Sequence, residues 1–252
     1  MSNSFDFTDR SVLVTGSTGG IGRAIAEAFA EAGAAVIVTG RDADRGAHAV
    51  EVIKAHGGDA RFIRADLGRG GSAIDALVDE ALERVGRLDV LVNNAAQLIT
   101  PSASVEVSQE LIDEAFAVSV RAPFLLTGRI ATHMAQHGGG AVVNLGSLNG
   151  FRGSAGSALY SATKATMHSL TKSWAAEYGP QGVRVNAVAP GPTLTEKVRA
   201  MQDYLAPMIA AMPSRRPSEL AEVAAAVMFL ASDLSSNTHG AILSVDGGAA
   251  AL

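Results

Sequence analysis

Tyr160-Ser-Ala-Thr-Lys164 sets a phenol and an ammonium four residues apart. In a helix that spacing puts both on one face. A phenol is ordinarily protonated near neutral pH. An ammonium beside it favours the phenolate, which makes the phenol a general acid or base usable closer to pH 7. Ser147 closes the apolar run Val142-Val-Asn-Leu-Gly-Ser147, thirteen positions before Tyr160. At the end of a strand its hydroxyl can donate to a substrate carbonyl oxygen at the carboxyl edge of an open sheet, where such folds bind ligands. A tyrosine and lysine at this spacing are weak evidence alone, because any helix surface can show the pair. The serine and the glycine loop described next make the combination specific.

Thr15-Gly-Ser-Thr-Gly-Gly-Ile-Gly22 lies between an apolar run and a stretch of helical spacing. Glycines at 16, 20 and 22 allow a tight turn and close approach of the backbone to a pyrophosphate. The helix that follows supplies free N–H groups and the positive end of its dipole. Ser17, Thr18 and Ile21 belong to the same cradle. The spacing G-x-x-x-G-x-G differs from the commoner G-x-G-x-x-G, and a purely structural turn is the competing reading. Downstream, the run Val36-Ile-Val-Thr-Gly-Arg-Asp42 aligns Gly40 with the place where an acidic residue would hold the ribose 2′-hydroxyl of NAD. Arg41 follows, and a guanidinium there can clamp a 2′-phosphate. NADP(H) is therefore the preferred cofactor. NAD(H) remains open, because a one-residue shift would let Asp42 accept the hydroxyl; otherwise Asp42 caps the next helix.

The elements that must position these residues alternate. Strands are predicted at 11–15, 35–39, 60–64, 88–93, 141–145, 184–189 and 241–245. Helices are predicted at 20–32, 42–56, 72–85, 108–136, 157–178 and 218–231. Apolar strands alternating with helices imply a parallel sheet covered on both faces. No linker or composition break interrupts the chain, so one domain is expected over 1–252. The longest non-periodic stretch, 190–217, holds Pro190, Pro192, Pro213 and Pro217 around a short apolar helical piece at 198–212. Such an insertion after a strand's carboxyl end reads as a substrate lid, around 191–216.

Composition narrows the function. The chain has 252 residues, 48% hydrophobic and 18% charged, with a formal charge of −5 and no cysteine. Low hydrophobicity with high net charge, the mark of global disorder, is absent. Thiol chemistry and a disulfide scaffold are excluded by count. The acidic balance argues against a nucleic-acid-coating surface. No run of 18 apolar residues occurs, and the first ten residues lack the basic start and apolar run of a signal peptide. A soluble cytoplasmic protein with no membrane partner is expected. His48, His56, His133, His137, His168 and His239 are scattered without metal-ligand spacing, so no metal is expected.

Over almost its whole length the chain resembles a classical short-chain dehydrogenase/reductase. The matching pieces are residues 15–22 (TGSTGGIG), Asp66-Leu67, Asn93-Asn-Ala95, Ser147, residues 160–164 (YSATK), Asn186-Ala-Val-Ala-Pro-Gly191 and Val245-Asp-Gly-Gly248. The resemblance implies an α/β fold: a Rossmann-type, doubly wound sheet of seven parallel strands in the order 3-2-1-4-5-6-7, usually as a homotetramer. It implies NAD(P)-dependent interconversion of a carbonyl and a secondary alcohol on a small molecule. Carried over, Asp66 would bond the adenine amine, with Leu67 beside it. Asn93 would sit near the adenosine ribose through backbone contacts, and Ala95 would belong to the same cofactor site. Pro190, Gly191, the backbone around Thr193 and the Thr195 hydroxyl would hold the carboxamide. Ser147 orients the carbonyl, Tyr160 moves the proton, and Lys164 supports the tyrosine and bonds the nicotinamide ribose.

Two positions depart from the family. Ala96 stands where it has glycine, close to the nicotinamide ribose. Ser119 stands where it has a catalytic asparagine, whose backbone carbonyl helps hold a water in a proton relay from the lysine. Ser119 keeps a carbonyl, and its hydroxyl is expected to bond back to the carbonyl four residues earlier and bend the helix, giving a weakened but working relay. A nucleotide-binding sensor or regulatory subunit with little chemistry is the alternative these departures leave open, and a ligand-free assembly protein is a more distant one. The pocket wall is expected from Leu148–Arg152, Gln97-Leu98-Ile99 and the lid residues Leu194, Val198, Met201, Tyr204, Leu205, Met208 and Ile209, a mixture suited to a moderately apolar carbonyl compound. Arg215-Arg216 reads as a solvated pair, with an anionic substrate as the competing reading.

Overall fold

The computed structural model describes residues 5–97 and 99–251, and the side chains at 197, 202 and 204 fall outside that description. Leu98 and the Tyr204 side chain, both expected in the pocket wall, therefore lie outside the described residues. The strands are β1 Ser11–Val14, β2 Ala35–Gly40, β3 Asp59–Arg64, β4 Val90–Asn93, β5 Gly140–Leu145, β6 Val183–Pro190 and β7 Ile242–Val245. The helices are α1 Gly20–Glu31, α2 Ala43–Ala55, α3 Gly71–Val85, α4 Gln109–Phe116, α5 Ala122–Gln136, α6 Ala158–Tyr178, α7 Glu196–Ala200, α8 Gln202–Ala211 and α9 Leu220–Ala231. The seven strands form one parallel sheet in the order β3-β2-β1-β4-β5-β6-β7, as the resemblance implies.

Side chains alternate across each strand, and both faces are apolar because helices cover both. Val12, Val14, Val36 and Val38 pack toward α1, α2 and α9, with Ile25, Phe29 and Val227. Leu13, Ile37, Leu91 and Val142 point the other way, onto α3, α5 and α6, with Leu77, Leu126 and Trp174. The sheet order reverses beside β1, where its neighbours are β2 and β4. Ligands of open α/β sheets bind at such a switch point, outside the strands' carboxyl ends. The loops after β1, β4, β5 and β6 all meet there. No helix among the described residues is long and apolar enough to cross a membrane.

The structure differs from expectation in two elements. The single helix expected at 108–136 is α4 and α5 joined by a five-residue π-turn, Ala117–Arg121, in which the Ala122 amide donates to the Ala117 carbonyl. Pro123, near the start of α5, has no N–H to give the carbonyl four residues back, that of Ser119. The regular ladder therefore breaks there. The piece expected at 198–212 is two helices, α7 and α8, with Thr195 capping the first through a bond from the Val198 amide.

Candidate active site

The glycine loop is held from below by Asn94. Its side-chain amide donates to the carbonyls of Thr15 (2.8 Å) and Gly16 (3.1 Å), and the Asn94 and Ala95 amides both donate to the Thr15 hydroxyl at 3.0 Å. Gly16 and Gly20 have φ of +64° and +55°, conformations that L side chains rarely adopt. Gly22 is bare for a different reason: a Cβ there would collide with the Asn94 amide and the Gly16 carbonyl. Ser17 is fully buried, donating to the Val14 carbonyl (2.6 Å) and accepting from the Thr39 amide (3.1 Å). Its side chain shapes the loop from inside, and only its backbone can face a ligand. The N-terminus of α1 carries no side-chain cap and no acidic residue in its first turn. Free N–H groups and a positive dipole end suit a pyrophosphate, and the packing of Asn94 and Ala95 under the loop leaves no room for a Cβ at Gly16 or Gly22. The loop therefore fits the dinucleotide that the sequence implies.

A cavity of about 300 Å³ continues from the loop toward β2 and β3, lined by Thr18, Gly40, Arg41, Asp66, Leu67 and Ala95 among others. Asp66 accepts from the Gly68 amide at 3.1 Å and stays part-exposed, with Arg69 at 3.4 Å. Asp42 is not among the residues that line this cavity. Its carboxylate caps α2, taking the Arg45 amide at 3.0 Å. Cations gather there instead. Arg41 is exposed at the rim, Arg64 donates to the Arg41 carbonyl at 2.9 Å, and the Arg45 guanidinium lies against Gly19, where a Cβ would strike it. Arg45 was not foreseen, although its place in the first turn of the helix that Asp42 was expected to cap was a readable signal.

A second cavity, of about 430 Å³, adjoins the first. Ser147, Tyr160 and Lys164 all line it, together with Ile21, Pro190, Gly191, Thr193 and Thr195. Lys164 is buried; its ammonium donates to the Leu145 carbonyl at 2.7 Å and sits 5.8 Å from the centre of the Tyr160 ring. Ser147 is buried at the start of the loop after β5, and its hydroxyl accepts from the Asn149 amide at 3.2 Å, leaving its own proton to donate. The apolar wall comes from Ile99, Leu148, Val198, Met201, Leu205 and Met208. Among the described lining residues Lys164 is the sole formally charged side chain. Asn149 and Gln97 also face this cavity, while Ile209 packs with Leu148 and Met212 behind it.

Hydrogen bonds fix the side chains of several other expected site residues. Asn93 is buried below the sheet edge, donating to Thr127 (3.0 Å) and Asn144 (2.9 Å), so only its backbone is available to a ribose. Ser119 lies in the π-turn and does not line the reaction cavity. Its hydroxyl accepts from the Gln97 amide of the loop after β4 at 3.0 Å, and the expected bond back to the carbonyl four residues earlier is not formed. The Thr195 hydroxyl accepts the α7 cap and keeps its proton free to donate. Arg215 and Arg216 do not line the cavity. Arg216 is paired with Glu222 at 2.6 and 2.8 Å, and Arg215, at φ +52°, borders a separate shallow pocket with Leu194, Ala210 and Pro217.

Comparison with known proteins agrees with this geometry. A family model described as enoyl-(acyl carrier protein) reductase matches residues 16–250. The chain is 38% identical to an uncharacterised oxidoreductase of Thermotoga maritima, over 98% of this chain and 100% of the other. It is 39% identical to the cis-4-hydroxycyclohexanecarboxylate dehydrogenase of Sinomonas cyclohexanicum, over 96% and 97%. A crystal structure described as an NAD(P)-dependent gluconate 5-dehydrogenase of Beutenbergia cavernae, with NADP bound at low occupancy, superposes with a TM-score of 0.92 at 36% identity, covering 98% of this chain and 99% of that one. With a parallel sheet in this order, a glycine cradle at its switch point and full-length relatives of this kind, the chain belongs to the classical short-chain dehydrogenase/reductase family and is an oxidoreductase.

Proposed function

We propose that the chain is an NADP(H)-dependent oxidoreductase that interconverts a ketone and a secondary alcohol, with Tyr160 as the general acid/base. The observation that carries this reading is the convergence of Ser147, Tyr160 and a buried Lys164 on one cavity beside the glycine cradle. Gly16, Thr18, Gly20, Ile21, Asp66, Leu67 and Ala95 would hold the dinucleotide, with Pro190, Gly191, Thr193 and Thr195 at its nicotinamide end. When bound, the nicotinamide supplies or accepts the hydride.

The protein's own groups do the rest. The Ser147 hydroxyl donates to the substrate carbonyl oxygen and holds the reacting carbon in place. Tyr160 gives its phenolic proton to that oxygen in reduction and takes it back in oxidation. Lys164, fixed on the Leu145 carbonyl, presents positive charge to the phenol oxygen as it becomes anionic. The Ser119 backbone carbonyl would hold the water that extends the proton path, more weakly than with the family's asparagine. The NADP preference rests on Arg41, with Arg64 and Arg45 near it, and on Asp42 being occupied as a helix cap.

The substrate in this reading is small, neutral and moderately apolar, since the described lining is largely apolar and Lys164, held on the Leu145 carbonyl, is its one formally charged side chain among the described residues. The segment around 191–216, with α7 and α8, acts as the lid. A cytoplasmic homotetramer belongs to the same reading; Ile112, Phe116 and Phe124 on α4 and α5, and Phe229 and Leu243 on α9 and β7, are exposed apolar side chains such contacts would cover.

The test is reduction of a panel of cyclic and linear ketones with NADPH, followed at the loss of its absorbance. Wild type turns over at least one neutral ketone, and Tyr160→Phe abolishes that turnover while still binding nucleotide. Full activity in Tyr160→Phe would reject the assignment, and turnover confined to carboxylated sugars would reject the substrate class.

A further inference from the structure

His168 lies on α6, eight residues after Tyr160 and four after Lys164, and is buried. Its Nε2 accepts the N–H of Ser147 at 3.4 Å. Its ring packs on Phe151, with centroids 4.5 Å apart. It also fills the space beside both Gly146 and Gly150, where a Cβ would strike the imidazole. Neither glycine has positive φ, so the ring rather than the turn keeps both positions bare. Burial, then the Lys164 and Lys172 ammoniums, lower its pKa to about 4 against a backbone hydrogen bond to Gly150. The ring is therefore neutral near pH 7, and an unprotonated Nε2 able to accept from Ser147 leaves the proton on Nδ1.

The loop bearing Ser147 packs on α6, but apart from those to His168 its backbone hydrogen bonds run elsewhere. The Gly146 amide goes to Val188 and the Gly150 amide to Ser147 itself. We propose that His168 is a positioning residue, fixing Ser147 against Tyr160 by tying the loop after β5 to the helix that carries the acid/base. This rests on the reading of Ser147 as the hydroxyl that orients the carbonyl. Losing the ring would leave a buried amide without a partner and a void under the loop, and the serine would drift from the phenol it must act with.

The experiment compares kcat and KM of wild type, Ser147→Ala, His168→Leu and His168→Gln in the full-length protein, with NADPH and whichever ketone of the panel wild type turns over. It adds melting temperatures for Gly150→Ala, His168→Ala and the double variant. A misplacement of about 1 Å costs up to roughly 100-fold in rate. His168→Leu is thus expected to lose about 10–100-fold in kcat with KM for NADPH unchanged. His168→Gln, whose amide oxygen can take the place of Nε2, should recover most of that loss. Gly150→Ala should lower Tm by about 2–10 °C when the ring is present and far less in the background of His168→Ala.

A costly Ser147→Ala beside an unimpaired His168→Leu would overturn the proposal and leave the function standing. So would equal losses in the leucine and glutamine variants. A harmless Ser147→Ala would sink the reading of the serine instead. Equal Tm losses from Gly150→Ala in both backgrounds would overturn the contact on which the positioning role depends, whether or not a substrate is found.

Discussion

Replacing Arg41 by alanine tests the cofactor assignment where it is most exposed to error. The 2′-phosphate distinguishing NADP from NAD carries more than one negative charge near neutral pH, and a guanidinium can bond two of its oxygens at once. Charge-assisted hydrogen bonds contribute about 1.5–3 kcal/mol each, which at about 1.4 kcal/mol per tenfold is roughly 10–150-fold in affinity. Arg41 is exposed at the cavity rim, where solvent screening pulls the effect to the lower end. Arg64, bonded to the Arg41 carbonyl, and Arg45, against Gly19, remain as partial substitutes. The expected loss in NADPH affinity is therefore about tenfold, with NADH affinity unchanged. Intrinsic fluorescence titrations with both nucleotides, at low and high salt, measure it: salt should weaken NADPH binding in wild type much more than in Arg41→Ala. If both nucleotides weaken together, Arg41 is shaping the loop rather than binding phosphate. Tighter binding of NADH than NADPH by wild type would refute the electrostatic argument altogether, and a loss of NADH alone in Asp42→Ala would return the ribose to that carboxylate.

Gly22→Ala forces the Asn94 amide off the Thr15 and Gly16 carbonyls. Two hydrogen bonds at about 1 kcal/mol each and an overpacking cost of about 1–3 kcal/mol give a loss of roughly 3–5 kcal/mol, read as a Tm lower by about 6–20 °C; a melt within 2 °C of wild type, on the scale of about 2–4 °C per kcal/mol, would contradict it. Ser119→Ala leaves the Gln97 amide without its acceptor and should cost about 1–3 kcal/mol in urea unfolding. Ser119→Asn should change the pH profile of turnover, and an unchanged profile would remove the relay. His168 predicts a pH dependence of stability. Its folded pKa, about 4, lies below the ordinary value of 6.5, so between those pH values the unfolded chain binds the extra proton. Stability is then full above about pH 6.5 and falls as pH drops toward 4, by about 1–2 kcal/mol after allowing for screening. Urea melts at pH 7 and 4.5 should show a smaller fall in His168→Gln.

What could be read from the chain alone was whatever one element decides by itself. Val12, Leu13 and Val14 are apolar in succession because helices cover both sheet faces, and that run marks a buried parallel strand without further context. Tyr160 and Lys164 were visible as a pair because the helix itself sets their spacing. The π-turn was not visible. A proline near a helix start is locally acceptable, and Pro123 becomes a defect only because α4 runs into α5 without a break in the chain's direction. The amide that stabilises the distortion comes from Gln97, twenty-two residues away. Asn94 was in plain view beside Asn93, yet which of the two reaches the glycine loop follows from strand pleat: Asn93 points below the sheet to Thr127 and Asn144, and Asn94, just beyond the strand end, turns up to Thr15 and Gly16. His168 had no local signal at all. On α6 it is one polar residue among several, and its meaning arises from two glycines on another element that are bare to receive it. A glycine with ordinary φ in a loop beside a catalytic residue is thus a mark of a close neighbour, and here both such glycines point to the same ring.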